Sequence, residues 1–201
     1  VKYSLSPMAL FNGDVFLTAK TPGNQLYILL GDFTGHGLSA SIGAGPAAEI
    51  FYGMTEKGFG IVEIIAEINR KMHKLLPVHM FFAATIAALH VDTETLNLIS
   101  CGLPEHYVYN RATKKLQTLA SDNLPLGILA DFEPQSQTLH LNTGDYFYLF
   151  TDGIIEAENK LGVQFESTGV IQSLQQKSDG YEAVLAALKL HMEGLEQQDD
   201  L

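Results

Sequence analysis

Two helical stretches interrupt an otherwise strand-rich chain, and that interruption limits the folds open to it. Residues 14–19 and 25–32 read as strands around the turn Thr21-Pro22-Gly23-Asn24, which is made of strong turn formers. Residues 38–56, rich in Ala, Gly and Ser, read as a helix that can pack closely against a neighbour. The next helix carries Ile61, Ile64, Ile65, Ile68, Met72, Leu75 and Leu76 as an amphipathic stripe, and Pro77 ends it. From residue 80 the pattern returns to strands. An apolar run over 80–91 is turned by Asp92-Thr93-Glu94-Thr95 into 96–101. Strands at 105–110 and 115–120 flank Arg111-Ala112-Thr113-Lys114, and 136–141 and 145–151 are expected to pair about Asn142-Thr143-Gly144. Helices near 166–176 and 181–195 close the chain. Helices set among antiparallel strands imply an α+β fold, with sheets packed face to face and helices outside. At 201 residues, with no repeat or linker, the chain reads as one domain.

Charge narrows the function. With 23 acids against 12 bases the formal charge is −11, which argues against nucleic acid as a partner. A solvated acidic surface accounts for most of this excess, but acids gathered in one cleft would also want cations among them. No apolar stretch approaches the ~18–20 residues of a membrane span, and the first residues carry no secretory pattern. Cys101 is the only cysteine, so there is neither an intramolecular disulfide nor a Cys-rich zinc site, which fits a cytoplasmic protein. In Leu98-Ile99-Ser100-Cys101-Gly102 it reads as a small buried apolar residue at a strand end, with no base nearby to activate it.

The chemistry concentrates in acids at strand ends. The run Leu26-Tyr27-Ile28-Leu29-Leu30 delivers Gly31-Asp32-Phe33-Thr34-Gly35-His36-Gly37, an acid followed by glycines that let backbone crowd a ligand. Asp14 follows Gly13 at the start of a strand. Asp152 follows Tyr146-Phe147-Tyr148-Leu149-Phe150-Thr151, a run apolar enough to suggest that the acid emerges from the centre of a sheet. Taken singly, an Asp beside Gly is more often a turn former than a ligand. Taken together, acids at one end of a sandwich suit Mg²⁺ or Mn²⁺, which want oxygen ligands and keep several waters. Two such ions about 3.5–4 Å apart can bridge a water, lower its pKa and aim it at phosphorus. His36 reads either as a ligand or acid, or as a loop scaffold bonding the backbone; the scaffold is favoured.

Other phosphate chemistries lack their residues. The 31–37 loop has no Gly-Lys-Ser/Thr ending, Asp14 is followed by Val15 and Phe16 rather than forming Asp-x-Asp, and Ser39 and Ser41 lie outside any Gly-x-Ser-x-Gly. The remaining histidines show no His-x-His or His-Glu-x-x-His spacing, so zinc hydrolysis has no support.

Asn12-Gly13-Asp14, Gly31-Asp32-Phe33-Thr34-Gly35-His36-Gly37, Phe81-Phe82-Ala83-Ala84-Thr85, Pro125-Leu126-Gly127, Thr143-Gly144-Asp145, and Thr151-Asp152-Gly153 with Glu156-Ala157 occur in a known order. Over roughly 12–201 the chain resembles the bacterial SpoIIE/RsbU branch of the metal-dependent (type 2C, PPM) serine/threonine protein phosphatases. The resemblance implies a four-layer α-β-β-α sandwich, its two mainly antiparallel sheets flanked by helices, with two Mn²⁺ or Mg²⁺ ions in the cleft. By motif, Asp14 and Asp32 would be catalytic and hold the metals, Asp32 as the bridge. Phe33 would offer its carbonyl, Asp152 would ligate one ion, and Asp199, beside Asp200, would supply the last carboxylate. A metal-bridging hydroxide would attack the phosphoserine or phosphothreonine phosphorus with no covalent enzyme intermediate.

The resemblance also implies a phosphorylated protein substrate of the anti-sigma-factor-antagonist type. It implies a cytoplasmic signalling role as the output end of a longer protein with a receiver or sensor domain, and a possible homodimer. In this reading the 38–76 helices would couple upstream signals to the site. Where the family often has Ala-Gly-His, this chain has Cys101-Gly102-Leu103, expected to be local packing. Its only arginines, Arg70 and Arg111, adjoin no acid motif, so no arginine clamp on phosphate is expected. The competing reading is a non-catalytic phosphoprotein- or partner-binding module on the same fold.

Overall fold

In the computed structural model, residues 13–34, 42–176 and 180–193 are described. Among them the strands are β1 (Asp14–Lys20), β2 (Leu26–Phe33), β3 (Phe82–His90), β4 (Thr95–Cys101), β5 (His106–Asn110), β6 (Lys115–Leu119), β7 (Gln137–His140) and β8 (Tyr146–Tyr148). The helices are α1 (Ala44–Glu56), α2 (Ile61–Leu75), α3 (Asp152–Glu156), α4 (Glu166–Gln176) and α5 (Gly180–His191). The strands form a five-stranded sheet, β1-β2-β3-β4-β7, and a three-stranded sheet, β6-β5-β8. Every pairing is antiparallel.

Hairpin turns explain the local order. Thr21 donates its N–H to Gln25 O at 3.0 Å and Asn24 sits at φ 59°, closing the β1–β2 turn where Pro, Gly and Asn were expected. Glu94 (φ 51°) and Lys114 (φ 57°) play the same part in the β3–β4 and β5–β6 turns.

Side-chain alternation then sorts the sheets into layers. On one face of the larger sheet Val15, Leu29, Phe33, Phe82, Ala84, Ile86 and Ile99 pack against Phe51, Ile64, Ile65, Ile68 and Met72 of α1 and α2. On its other face Ala87, Leu96 and Leu98 meet Val108 and Leu119 of the smaller sheet. The outer face of the smaller sheet, through Tyr107 and Leu116, is covered by Val170, Leu174, Val184 and Leu188 of α4 and α5. The layer order is thus helix, sheet, sheet, helix, as anticipated.

The α2 stripe buries Ile61, Ile64, Ile65, Ile68 and Met72, each isoleucine contributing about 1.5–3 kcal/mol by leaving water. Leu75 lies off that stripe and stays 37% exposed, because the last turn rotates it away while Leu76 goes inward. Glu63 accepts the Gly60 N–H at 2.9 Å to start the helix. Leu76 is extended at ψ 143°, as the residue before Pro77 must be. The helix expected over 38–56 is described from Ala44; residues 35–41 lie outside the described region. Leu103 is 3% exposed, in line with a packing role, and Cys101 is fully buried, where desolvation pushes its thiol up to about 12.

One expected pairing is wrong. The 136–141 and 145–151 segments do not pair with each other: β7 pairs with β4 in the larger sheet, and β8 with β5 in the smaller. The cause is Asp145. Its carboxylate accepts N–H groups from Asn142 and also from Asn110 Nδ2 and Arg111 N, at 3.0–3.1 Å, which ties the 142–145 turn to the β5–β6 turn. These bonds hold its carboxyl below the usual carboxylate range, against a desolvation that pushes the other way. On the other side Leu141 N donates to Glu94 O at 2.8 Å, so the chain is held by one sheet on entry and by the other on exit.

Candidate functional site

The β1–β2 hairpin builds the centre of the site. Asp14 lies directly across from Asp32 in the antiparallel register. Phe33 N donates to Gly13 O at 3.2 Å, so Gly13 and Phe33 form the hydrogen-bonded pair and the carboxylates occupy the next, non-hydrogen-bonded position. There opposed Cα atoms stand only about 4.5 Å apart and side chains come closest. Because Val15, Leu29 and Phe33 face the helices, alternation turns Asp14 and Asp32 to the inter-sheet side. Asp14 is 9% exposed and Asp32 half-buried. Two like charges facing each other this closely destabilise the hairpin unless a cation or a proton lies between them.

Phe33 contributes in two ways. Its ring is fully buried and stacks on Phe82 with centroids 4.0 Å apart at 10°. Its N–H donates to Gly13 O on β1, and a strand residue sends its carbonyl to the same side, so that oxygen lies toward β1 rather than β3. Gly31 is required here: a Cβ would meet the Phe82 ring and sit 2.9 Å from Ala83 O. Thr34, not singled out by sequence reasoning, stitches the loop to β3. Its N–H and hydroxyl both donate to Phe81 O at 3.0 Å, and its Oγ1 accepts the Phe81 N–H at 3.1 Å.

From the side of the other sheet comes Thr151, whose hydroxyl approaches Asp14 Oδ2 at 3.5 Å, longer than an ordinary O–H···O bond and therefore a weak contact. Asp152 follows it as the first residue of α3. This corrects the expectation that Asp152 leaves the centre of a sheet. Among the described residues β8 is the outer strand of β6-β5-β8 and stops at Tyr148, so the apolar run is explained by packing against α4 and α5, not by a central position.

The hairpin therefore brings Asp14 and Asp32 together, and Thr151 draws the start of α3 toward them. Among the described residues no group of three or more His, Cys, Asp and Glu is close enough to cage a metal. Asn12, Gly35, His36, Gly37, Ser39, Ser41, Asp199 and Asp200 lie outside the described region. Both arginines stand apart from the carboxylates: Arg70 pairs with Glu67 on α2 at 2.6 Å, and Arg111 lies on the β5–β6 turn. The donor set fits a hard divalent cation, being carboxylate oxygens with a backbone carbonyl beside them and no thiolate or imidazole among the described contributors.

Two further arrangements support the site. Asn69 on α2 donates to Leu129 O at 2.9 Å and accepts the Gly127 N–H at 2.8 Å, while His73 Nδ1–H donates to Gly127 O at 2.9 Å. Gly127, at φ 93°, packs against Met72. The neighbouring Leu126 exchanges backbone hydrogen bonds with Phe82 at 2.8 and 2.9 Å. The second arrangement is a buried cluster of Thr85, Ser100 and His106 between the sheets. Its sequence signal was a hydroxyl at inward positions of strands otherwise apolar, Thr85 on β3 and Ser100 on β4.

Burial pushes His106 down from its ordinary 6.5 to about 3. Between those values the unfolded chain holds a proton that the folded chain does not, so stability is complete above pH 6.5 and declines as pH falls toward 3. Urea unfolding at stepped pH should show this decline, and His106→Gln should flatten it.

With two facing sheets, helices outside and paired carboxylates at the sheet edge, the chain has the architecture of PP2C phosphatase domains. It matches the PP2C domain of SpoIIE from Bacillus subtilis with a TM-score of 0.83 at 14% identity, over 98% of this chain and 59% of that one. RsbX, solved in complex with magnesium, matches with a TM-score of 0.71 at 15% identity, over 94% of this chain and 83% of that one. The chain belongs to the SpoIIE family: the model for Stage II sporulation protein E matches residues 22–201. Phosphoserine phosphatase RsbU of Bacillus subtilis (strain 168) is 23% identical over 156 residues, 78% of this chain and 46% of RsbU, so the chain spans less than half of that relative.

Proposed function

We propose that this chain is a metal-dependent phosphoserine/phosphothreonine protein phosphatase domain working in bacterial signal transduction. The observation that carries the reading is the Asp14–Asp32 pair, opposed at a non-hydrogen-bonded position and facing the inter-sheet side. A binding surface for phosphoprotein alone has no use for two facing carboxylates, which repel phosphate unless cations intervene.

Asp14, Asp32 and the Phe33 carbonyl would hold two Mn²⁺ or Mg²⁺ ions together with Asp152 and, outside the described residues, Asp199. RsbX, solved with magnesium, is a relative in fold. When bound, such ions neutralise phosphate charge and make a water acidic enough to attack phosphorus near neutral pH, so no enzyme nucleophile is needed. The chain's own residues orient this chemistry. The Thr151 hydroxyl faces Asp14 Oδ2 at 3.5 Å, and the Phe33–Phe82 stack fixes the backbone that carries Asp32. With both arginines elsewhere, phosphate would depend on the cations for charge stabilisation.

The substrate we propose is a phosphorylated protein of the anti-sigma-factor-antagonist class, in line with RsbU being a phosphoserine phosphatase. No described helix is long and apolar enough to cross a membrane, and we place the domain in the cytoplasm, with a homodimer as a possible assembly.

Hydrolysis of p-nitrophenyl phosphate with and without Mn²⁺ tests the reading. Turnover should require Mn²⁺, and Asp152→Ala should lower it at least about a hundredfold, the upper range for residues that merely support metal ligands. Absence of Mn²⁺-dependent turnover would reject catalysis and leave the binding module.

A further inference from the structure

His106 opens β5 and is fully buried, yet nothing in the catalytic reading uses it. Its Nε2 lies 2.7 Å from Thr85 Oγ1, and Thr85 Oγ1 lies 2.8 Å from Ser100 Oγ. Thr85 is 0% and Ser100 2% exposed. Ser100 donates its hydroxyl to Ser121 Oγ at 3.1 Å, and Ser121 Oγ accepts the Gly102 N–H at 3.0 Å.

Proton accounting fixes the order of this chain, because each hydroxyl has one proton to give. Ser100 spends its proton on Ser121 at 3.1 Å rather than on the more distant His106 Nε2 at 3.4 Å, so it accepts from Thr85. Thr85 has then spent its own, so it accepts from His106. The imidazole is therefore the neutral Nε2–H tautomer. Its Nδ1 has no hydrogen-bond partner, and the Phe147 ring stands edge-on with centroids 6.4 Å away. Holding a bare nitrogen there is costly, on the order of 1–3 kcal/mol, so the position does something that an apolar residue would not.

Register shows what that is. Asp14, Asp32 and Ala83 form one cross-strand row on the inter-sheet face of the larger sheet. Phe16, Leu30, Thr85 and Ser100 form the next row, two residues along. His106 thus docks the smaller sheet on the row immediately behind the carboxylates. Tyr107 pairs with Tyr148, so His106 lies at the end of β5 from which the neighbouring chain runs on to Thr151 and Asp152.

We propose that His106 is a positioning residue for the carboxylate site: donating from Nε2 to Thr85, it pins the smaller sheet behind Asp14 and Asp32 and so sets how closely Thr151 and Asp152 approach them. This rests on the phosphatase reading of the site for its consequence, but not for its geometry.

Three measurements on the whole chain test it. In ¹⁵N NMR of the metal-free protein the His106 ring should appear as the Nε2–H tautomer; an Nδ1–H ring overturns the donor assignment. In direct Mn²⁺ titrations, His106→Leu and Thr85→Val should each bind about tenfold more weakly, as loss of groups behind metal ligands does. His106→Gln, whose amide N–H can reach Thr85, should restore most of the affinity. Thr85→Val keeps side-chain shape and carries the test if His106→Leu does not fold. Folded variants that melt lower yet bind Mn²⁺ as wild type does would reduce His106 to a packing residue and overturn the proposal. A wild-type chain that binds no Mn²⁺ overturns both readings, whereas Mn²⁺ bound without turnover overturns only the phosphatase.

Discussion

Asp32→Asn is expected to abolish Mn²⁺-dependent turnover and, in the metal-free protein, to raise the melting temperature. The two effects have one cause. Asp32 stands opposite Asp14 where cross-strand side chains come closest, so in the absence of cations the pair is a repulsion built into the β1–β2 hairpin. Replacing one carboxylate by its neutral isostere removes a like-charge contact of about 0.2–1 kcal/mol, which is up to about 4 °C for a chain of this size. The same change removes a candidate ligand shared by both ions, and activity should fall at least about a hundredfold. Calorimetry with and without Mn²⁺, beside the p-nitrophenyl phosphate assay, separates these outcomes. Addition of Mn²⁺ should stabilise the wild type and leave the variant almost unmoved. A lower melting temperature for metal-free Asp32→Asn would mean that the carboxylate is held by favourable contacts rather than opposed by Asp14.

Phe82→Ala should cost the fold most. Phe82 is fully buried, stacks on Phe33 at 4.0 Å, covers Gly31 and exchanges two backbone hydrogen bonds with Leu126. Removing a buried aromatic ring typically costs about 3–5 kcal/mol, so the melting temperature should drop by on the order of 10 °C. Activity should decline as well, below the unfolding range, because Gly31 and Phe33 flank Asp32 and lose the surface that positions them. Urea denaturation gives the stability change, and Mn²⁺ titration of the folded variant tests the coupling. Full Mn²⁺ affinity in a destabilised Phe82→Ala would show that the ring supports the core but not the carboxylate.

Features decided within a few residues were legible from the sequence. The Leu26–Leu30 run, the Pro-Gly-Asn turn and the isoleucine spacing of α2 each point to one local structure, and each is found. Leu75 was misplaced because a stripe read along a helix does not say where the last turn stops facing the core. The pairing of 136–141 with 145–151 failed for a different reason. Asn142-Thr143-Gly144 has the composition of a hairpin turn, but Asp145 bonds Asn110 and Arg111, some 35 positions away along the chain, and no local pattern announces that. Asp152 was placed in a sheet centre because apolarity reports burial without naming the neighbour, which here is a pair of helices.

The sequence by itself determined most of the strands and helices, the sandwich class and the acids Asp14 and Asp32 on the first two strands, because backbone geometry and hydrophobic period act over short distances; the short helix opened by Asp152 was not among them. It also determined the family, through motifs whose order does not depend on any contact. Tertiary structure decided the register that sets Asp14 against Asp32, the crossing of the chain between sheets at Asp145, and the Thr85–Ser100–His106 tie between them. Those are contacts between residues distant in the chain. A one-residue slip in the hairpin would turn each strand's side chains to the opposite face, so the site exists only once packing on both sides of the larger sheet has chosen the register.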